Sequence, residues 1–161
     1  MLSFEKMSEA HWPAVWRIIE PVFRAGETYP YAMDISEAEA KAKWIDQPRA
    51  TYVAIKDGEV LGTFYIKPNQ PTLGAHVCNC GYVVGEAARG QGVAAQMCAF
   101  SQTEAVRLGF SAMQYNLVVA TNTGAVALWQ RQGFDVVGTL PKAFNHAKHG
   151  LVDALVMYKE L

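Results

Sequence analysis

The chain has 161 residues, enough to bury one compact core, and we expect a single domain over residues 1–161. Its 14 basic and 15 acidic residues are interspersed and leave a net charge of −1, which excludes the basic field that nucleic-acid binding requires. No apolar run is long enough to cross a bilayer, and Met1-Leu2-Ser3-Phe4-Glu5-Lys6 lacks a cationic segment followed by an apolar stretch, so a cytoplasmic protein without a membrane partner is expected.

Leu2 to Met7 reads as a first strand. Trp12, Val15, Trp16, Ile19, Val22 and Phe23 then recur at helical spacing, and Gly26 ends that helix. The following loop, Gly26-Glu27-Thr28-Tyr29-Pro30-Tyr31, is aromatic where most loops are merely polar. Ser36 and Glu39 make a capping box for a short helix that Pro48 stops. Asp57-Gly58, between Thr51 to Lys56 and Glu59 to Lys67, supplies the positive φ angles of a type I′ turn and predicts an antiparallel hairpin.

A strand over about Ala75 to Val84 runs into Arg89-Gly90-Gln91-Gly92-Val93-Ala94, after which helical periodicity continues to Leu108 and stops at Gly109. The next strand covers about Ala112 to Val119, so strand, helix and strand predict a right-handed parallel crossover. A helix from about Thr123 to Gln132, closed by Gly133, precedes strands near Asp135 to Gly138 and Val152 to Tyr158. The expected fold is α+β in three layers: a mixed central sheet with an antiparallel N-terminal half, a parallel central pair, and helices on both faces.

Cys78, Cys80 and Cys98 form an odd set, and the first two point to one face of a strand, so no disulfide framework is expected. Cys78-Asn79-Cys80 also lacks the spacing of a structural zinc site, and His146 and His149 read as part of a late polar loop, so no metal is expected.

Between the central strand and its helix, two glycines and several small residues let backbone N–H groups approach an anion at a helix N-terminus, and Arg89 adds a guanidinium suited to phosphate oxygens. An ordinary strand-to-helix turn uses glycine in the same way. Gly90-x-Gly92-x-x-Ala95 also satisfies the dinucleotide fingerprint, but no Asp or Glu occurs between Glu104 and Asp135 to hold a ribose. A nucleoside-triphosphate loop is excluded because no Gly-Lys-Ser/Thr follows the glycines.

Read as Arg89-x-x-Gly92-x-Ala94, the same segment resembles the coenzyme A pyrophosphate motif of the GCN5-related N-acetyltransferases, the GNAT family. Asn122-x-x-Ala125-x-x-Leu128-Trp129-x-x-x-Gly133-Phe134 is similar to that family's later helix motif, at the expected separation. The resemblance implies a GNAT fold whose parallel central strands splay apart, with acetyl-CoA as co-substrate. It implies that the backbone of Tyr82, Val83 and Val84 pairs with the pantetheine arm. Arg89, Gly90, Gln91, Gly92, Val93 and Ala94 would hold the pyrophosphate, and Asn122 and Trp129 would flank the coenzyme. The resemblance also implies that both substrates are bound together and that the amine attacks the thioester directly. Family members are often dimers, which leaves a homodimer open.

Candidates for the general base are Glu27 in the aromatic loop and His76 on the central strand, while Asn79 beside it can orient a water. Trp129 stands where many relatives carry the tyrosine that protonates the leaving thiolate, and an indole N–H is not an acid at neutral pH. Tyr82 and Tyr115 are the conceivable substitutes. Tyr115-Asn116-Leu117-Val118 before Thr121-Asn122 is similar to acetyltransferases of small amino acids and cyclic imino acids such as azetidine-2-carboxylate. Asn116 would then offer amide donors to a carboxylate beside the thioester, with Tyr29 and Tyr31 walling a compact acceptor pocket. A peptide or protein acceptor, and an acyl-CoA sensor without turnover, are the alternatives.

Overall fold

The structure, a computed structural model, describes residues 1–161. Its strands are β1 (Ser3–Lys6), β2 (Ala50–Lys56), β3 (Glu59–Pro68), β4 (Val77–Val84), β5 (Ala112–Val119), β6 (Asp135–His146) and β7 (Gly150–Glu160), in one sheet of order β1-β2-β3-β4-β5-β7-β6. The helices are α1 (Trp12–Ala25), α2 (Glu37–Lys41), α3 (Val93–Arg107) and α4 (Thr123–Arg131).

Local chemistry sets the boundaries where the sequence placed them. Gly26 ends α1 in the left-handed region at φ 64°. Ser36 Oγ accepts the Glu39 N–H at 3.1 Å and Glu39 Oε2 accepts the Ser36 N–H at 3.2 Å, a complete capping box. Asp57 and Gly58 adopt φ 50° and 80°, closing the β2–β3 hairpin.

Side chains alternate across the sheet and build a core on each face. On one face Val53, Tyr65 and Val83 pack with Val15, Ile19 and Phe23 of α1 and with Trp44. On the other, Tyr52, Phe64 and Ile66 pack with Met97, Cys98 and Ala105 of α3. Cys78 and Cys80 share this second face, as their spacing requires. The three layers and the mixed sheet, with an antiparallel N-terminal half and one parallel central pair, are those expected from the sequence.

Three expectations need correction. β4 begins at Val77, so His76 lies in the turn before the strand, exposed. β6 extends eight residues past Gly138, to His146. It is an edge strand broken by register shifts at Val136/Gly138 and Leu140/Phe144, so Pro141 forfeits no essential ladder bond and the alternation that would betray a strand is lost. His146 is not in a polar loop: it is buried at the end of β6, where Nδ1 accepts the N–H groups of Lys148 and His149.

Candidate active site

β4 and β5 run parallel for only two residue pairs, Val77↔Ala112 and Cys78↔Met113, and then part. Below that point lies a cleft of about 1150 Å³, by far the larger of the two principal pockets. Register decides what β4 presents to it. Asn69 N–H donates to Val77 O at one end of the β3–β4 pairing and Gly85 N–H to Leu61 O at the other, with no shift between. Odd-numbered residues of β4 therefore bond β3, and Cys80, Tyr82 and Val84 turn their N–H and C=O groups toward the gap. This corrects the place of Val83: its backbone is spent on β3, and Tyr82 and Val84 are the open residues. Tyr29 Oη donates to Tyr82 O at 2.9 Å, which leaves the Tyr82 N–H and both backbone groups of Val84 without a partner on β5.

At the apex, a continued ladder would have the Cys80 N–H donate to Gln114 O. Instead Asn79 Nδ2 donates to that carbonyl at 2.9 Å, while Asn79 Oδ1 accepts the Tyr65 hydroxyl at 3.2 Å. The buried Asn79 amide thus replaces one ladder bond and leaves the Cys80 N–H open where the strands separate. Where the sequence suggests that Asn79 orients a water, the structure commits its amide to two protein partners.

At the outer end of the cleft, Gly90 and Gly92 take φ 77° and 76°, and none of the N–H groups from Gly90 to Ala95 has an acceptor. They crowd the N-terminus of α3, an anion cradle. Arg89, exposed and free of any ion pair, and Ala94 line the cleft beside them. Gln91 turns its side chain back to Ala87 O at 3.1 Å, so only its backbone is offered. Asn122 caps α4 by accepting the Ala125 N–H at 3.3 Å, and its Nδ2 stays available on the cleft wall.

The floor on the α3 side is aromatic. Trp129 lies 5.1 Å from the Tyr82 ring and 5.2 Å from the Tyr115 ring, and its Nε1–H has no partner. The Tyr82 and Tyr115 hydroxyls bond each other at 2.9 Å, and Tyr82 also bonds Ser101 Oγ at 2.6 Å. Burial pushes both phenols well above the usual tyrosine range.

The face toward α1 and α2 carries the remaining candidates. Glu27 pairs with Lys148 at 2.9 Å, and that hydrogen-bonded ammonium lowers the carboxyl pKa, which weakens Glu27 as a base. Tyr29 and Tyr31 stack at 5.8 Å and line the wall. Asn116 lines it too, its Nδ2 donating to Asn69 Oδ1 at 2.6 Å. His76 is absent from the lining: it sits at the closed end of the V, behind the last ladder pair. Sequence reading missed Lys67 and Lys148, both on the wall. Lys67 carried a usable signal, a cation two residues from Tyr65, on the same face and next to the apolar run Phe64-Tyr65-Ile66.

Comparison with known proteins identifies the family. Residues 12–134 match the Acetyltransferase (GNAT) family model. The chain is similar to the solved structure of a GCN5-related N-acetyltransferase from Kribbella flavida, 42% identical with a TM-score of 0.94 over 99% of this chain and 98% of that one. It is 38% identical to N-acetyltransferase aca1 of Schizosaccharomyces pombe across 98 residues, 60% of this chain, and spans only 47% of that protein's length. A phosphinothricin acetyltransferase of Sinorhizobium meliloti, solved in complex with acetyl-CoA, shares the fold at 19% identity and a TM-score of 0.86, covering 99% of this chain and 88% of that one.

Proposed function

Since the chain belongs to the GNAT family of N-acetyltransferases, whose co-substrate is acetyl-CoA, we propose that it acetylates the amine of a small molecule, an amino acid or imino-acid analogue, through one catalytic domain spanning residues 1–161. The observation that carries this reading is the two-ended cleft: an anion cradle at one end, an apex with an open backbone donor, and a walled pocket beyond it.

The free N–H groups of Gly90 to Ala95, with Arg89, suit the pyrophosphate, and the open groups of Tyr82 and Val84 suit the amides of the pantetheine arm. That threading brings the thioester to the apex. The neutral amine attacks its carbonyl carbon from the α1/α2 face, forming the N–C bond. Negative charge gathers on the carbonyl oxygen, which the Cys80 N–H stabilises, a contribution of roughly 3 kcal/mol for one such donor. Collapse breaks the C–S bond, the electron pair leaves on sulfur, and the ammonium proton passes to water. The amine of a free amino acid, raised by its own carboxylate above the peptide-terminal value of about 8, attacks through its minor neutral fraction at pH 7, and water takes up the proton. Glu27, held ionised by Lys148, shapes the acceptor side instead of abstracting the proton.

The test is release of free coenzyme A from acetyl-CoA with a panel of amino acids, imino acids, polyamines and peptides, products identified by mass. Turnover on a small amino or imino acid is expected. Turnover confined to peptides, or tight acetyl-CoA binding with no turnover on any amine, refutes the small-molecule reading.

A further inference from the structure

We propose that Lys67 is the anion anchor of the acceptor site, its ammonium holding the carboxylate of the amino or imino acid whose nitrogen is acetylated. The inference rests on the small-molecule reading above and names the residue that selects the substrate's charge.

Lys67 lies directly across from Asn79 in the β3–β4 pairing, so both side chains leave the sheet on one face beside the apex. It lines the cleft, with Nζ 5.2 Å from the centroid of Tyr65, whose hydroxyl bonds Asn79. This cation is half-buried and takes part in no ion pair. The acids of the cleft are elsewhere. Glu27 is occupied by Lys148 at 2.9 Å. Glu59 opens β3 at the strand's far end, roughly 27 Å away at 3.4 Å per residue, and Glu86 lies beyond the open end of β4.

The charge that acts on Lys67 is another cation, Lys43, whose ammonium stands 5.5 Å from the centroid of the Tyr31 ring that lines the cleft. Desolvation and, after it, Lys43 lower the ammonium pKa of Lys67. A cation kept part-desolvated beside a second one, with no protein carboxylate, is costly until an anion arrives. The Asn116 amide, on the facing wall, retains one of its two N–H donors for the same anion. An acceptor with an amine and a carboxylate fits this end of the cleft; a polyamine meets like charge.

The experiment compares glycine with glycinamide and L-proline with L-prolinamide, rates expressed per neutral amine, for the wild type, Lys67→Met and Lys67→Arg. Wild type is expected to favour each carboxylate about tenfold or more in kcat/KM. Lys67→Met should lose about 10- to 100-fold on the carboxylates, the range for hydrogen bonds to charged groups, with the loss confined to that member of each pair. Lys67→Arg should recover most of it. Equal losses on both members of a pair, or a wild type indifferent to the carboxylate, overturn the proposal. A second arm titrates N-acetylglycine and N-acetylglycinamide into the coenzyme A-saturated protein by calorimetry, which needs no turnover. If no amine is acetylated, the small-molecule reading fails by itself. N-acetylglycine binding that is lost in Lys67→Met still supports the anion site, and binding unaltered by the substitution, or none, overturns it.

Discussion

Replacing Asn79 by Ala tests whether a side chain holds the active-site strands apart. The substitution removes two hydrogen bonds, to Gln114 O at 2.9 Å and from Tyr65 Oη at 3.2 Å, between groups that are nearly all buried. Lost bonds of this kind cost about 1 kcal/mol each, and more where a partner stays orphaned, so a loss of about 2–3 kcal/mol is expected. For a chain of this size that lowers Tm by about 4–12 °C. The Gln114 carbonyl has one nearby remedy: β5 moves in and accepts the Cys80 N–H, the bond a continued ladder would make. Catalysis then loses its oxyanion donor. The assay is steady-state kinetics well below the variant's Tm, with amide exchange of Cys80 followed by NMR. kcat should fall about 10²- to 10³-fold, the cost of removing one such donor, while KM for acetyl-CoA changes little because the Gly90 to Ala95 cradle is untouched. The Cys80 amide should become protected. A kcat within about threefold of wild type, or a defect confined to KM for acetyl-CoA, refutes the reasoning.

Other outcomes follow from the same geometry. A Cβ at Gly81 would stand 2.4 Å from the Tyr65 ring, so Gly81→Ala should destabilise by about 1–3 kcal/mol in denaturant unfolding and displace Tyr65 from Asn79. Arg89→Gln and Gly92→Ala should each weaken acetyl-CoA binding in calorimetry, the second because a residue with Cβ is strained at φ 76°; unchanged affinity in both removes the cradle assignment. Because Lys148 keeps Glu27 below the usual carboxylate range, Glu27 is already ionised at neutral pH, and kcat/KM should rise about tenfold per pH unit up to the acceptor amine's own pKa. That midpoint should move with acceptors of different amine pKa and persist in Glu27→Gln; a midpoint fixed across acceptors means that an enzyme group is titrating. Trp129→Phe keeps the ring that packs on Tyr82 and Tyr115 but removes the unpartnered Nε1–H, so a fall in kcat of several-fold is expected if that donor meets the departing sulfur, and an unchanged kcat excludes it.

What was legible in the sequence was local. The Ser36 box, the Asp57-Gly58 turn and the glycine stop at Gly26 each act within a few residues, so their chemistry can be read without knowing the fold. The two GNAT-like motifs were legible because one cradle and one helix cap each need fixed spacing. What escaped depends on register or on contacts between distant segments. Whether Val83 or its neighbours face the gap is a parity set by pairing with β3. The Asn79–Gln114 bond joins residues 35 apart, and the Glu27–Lys148 pair joins the α1–α2 loop to the β6–β7 turn. His76 was misplaced by a strand boundary, which shifts with backbone pairing that composition does not reveal.

The division of the cleft into two faces explains how a tryptophan can stand where a proton donor is expected. Ser101 Oγ donates to Cys98 O at 2.8 Å, so the 2.6 Å contact with Tyr82 must use the Tyr82 proton. Tyr115 then donates to Tyr82, and the Cys98 thiol, 3.4 Å from Tyr115 Oη, supplies that oxygen in turn. Every hydroxyl proton of the cluster is spent within it, and burial raises both phenols further, so neither tyrosine serves as an acid toward the cleft. The cluster therefore closes the α3 face as packing. The polar residues Lys67, Asn79 and Asn116 line the cleft on the other face of the sheet, the side proposed for the acceptor. With thiols near pKa 8.5, a thiolate is a tolerable leaving group, and the ammonium proton released in the same event balances its charge. An enzyme built this way depends less on a resident acid than on the geometry of the gap, and that geometry rests on Asn79 at its apex.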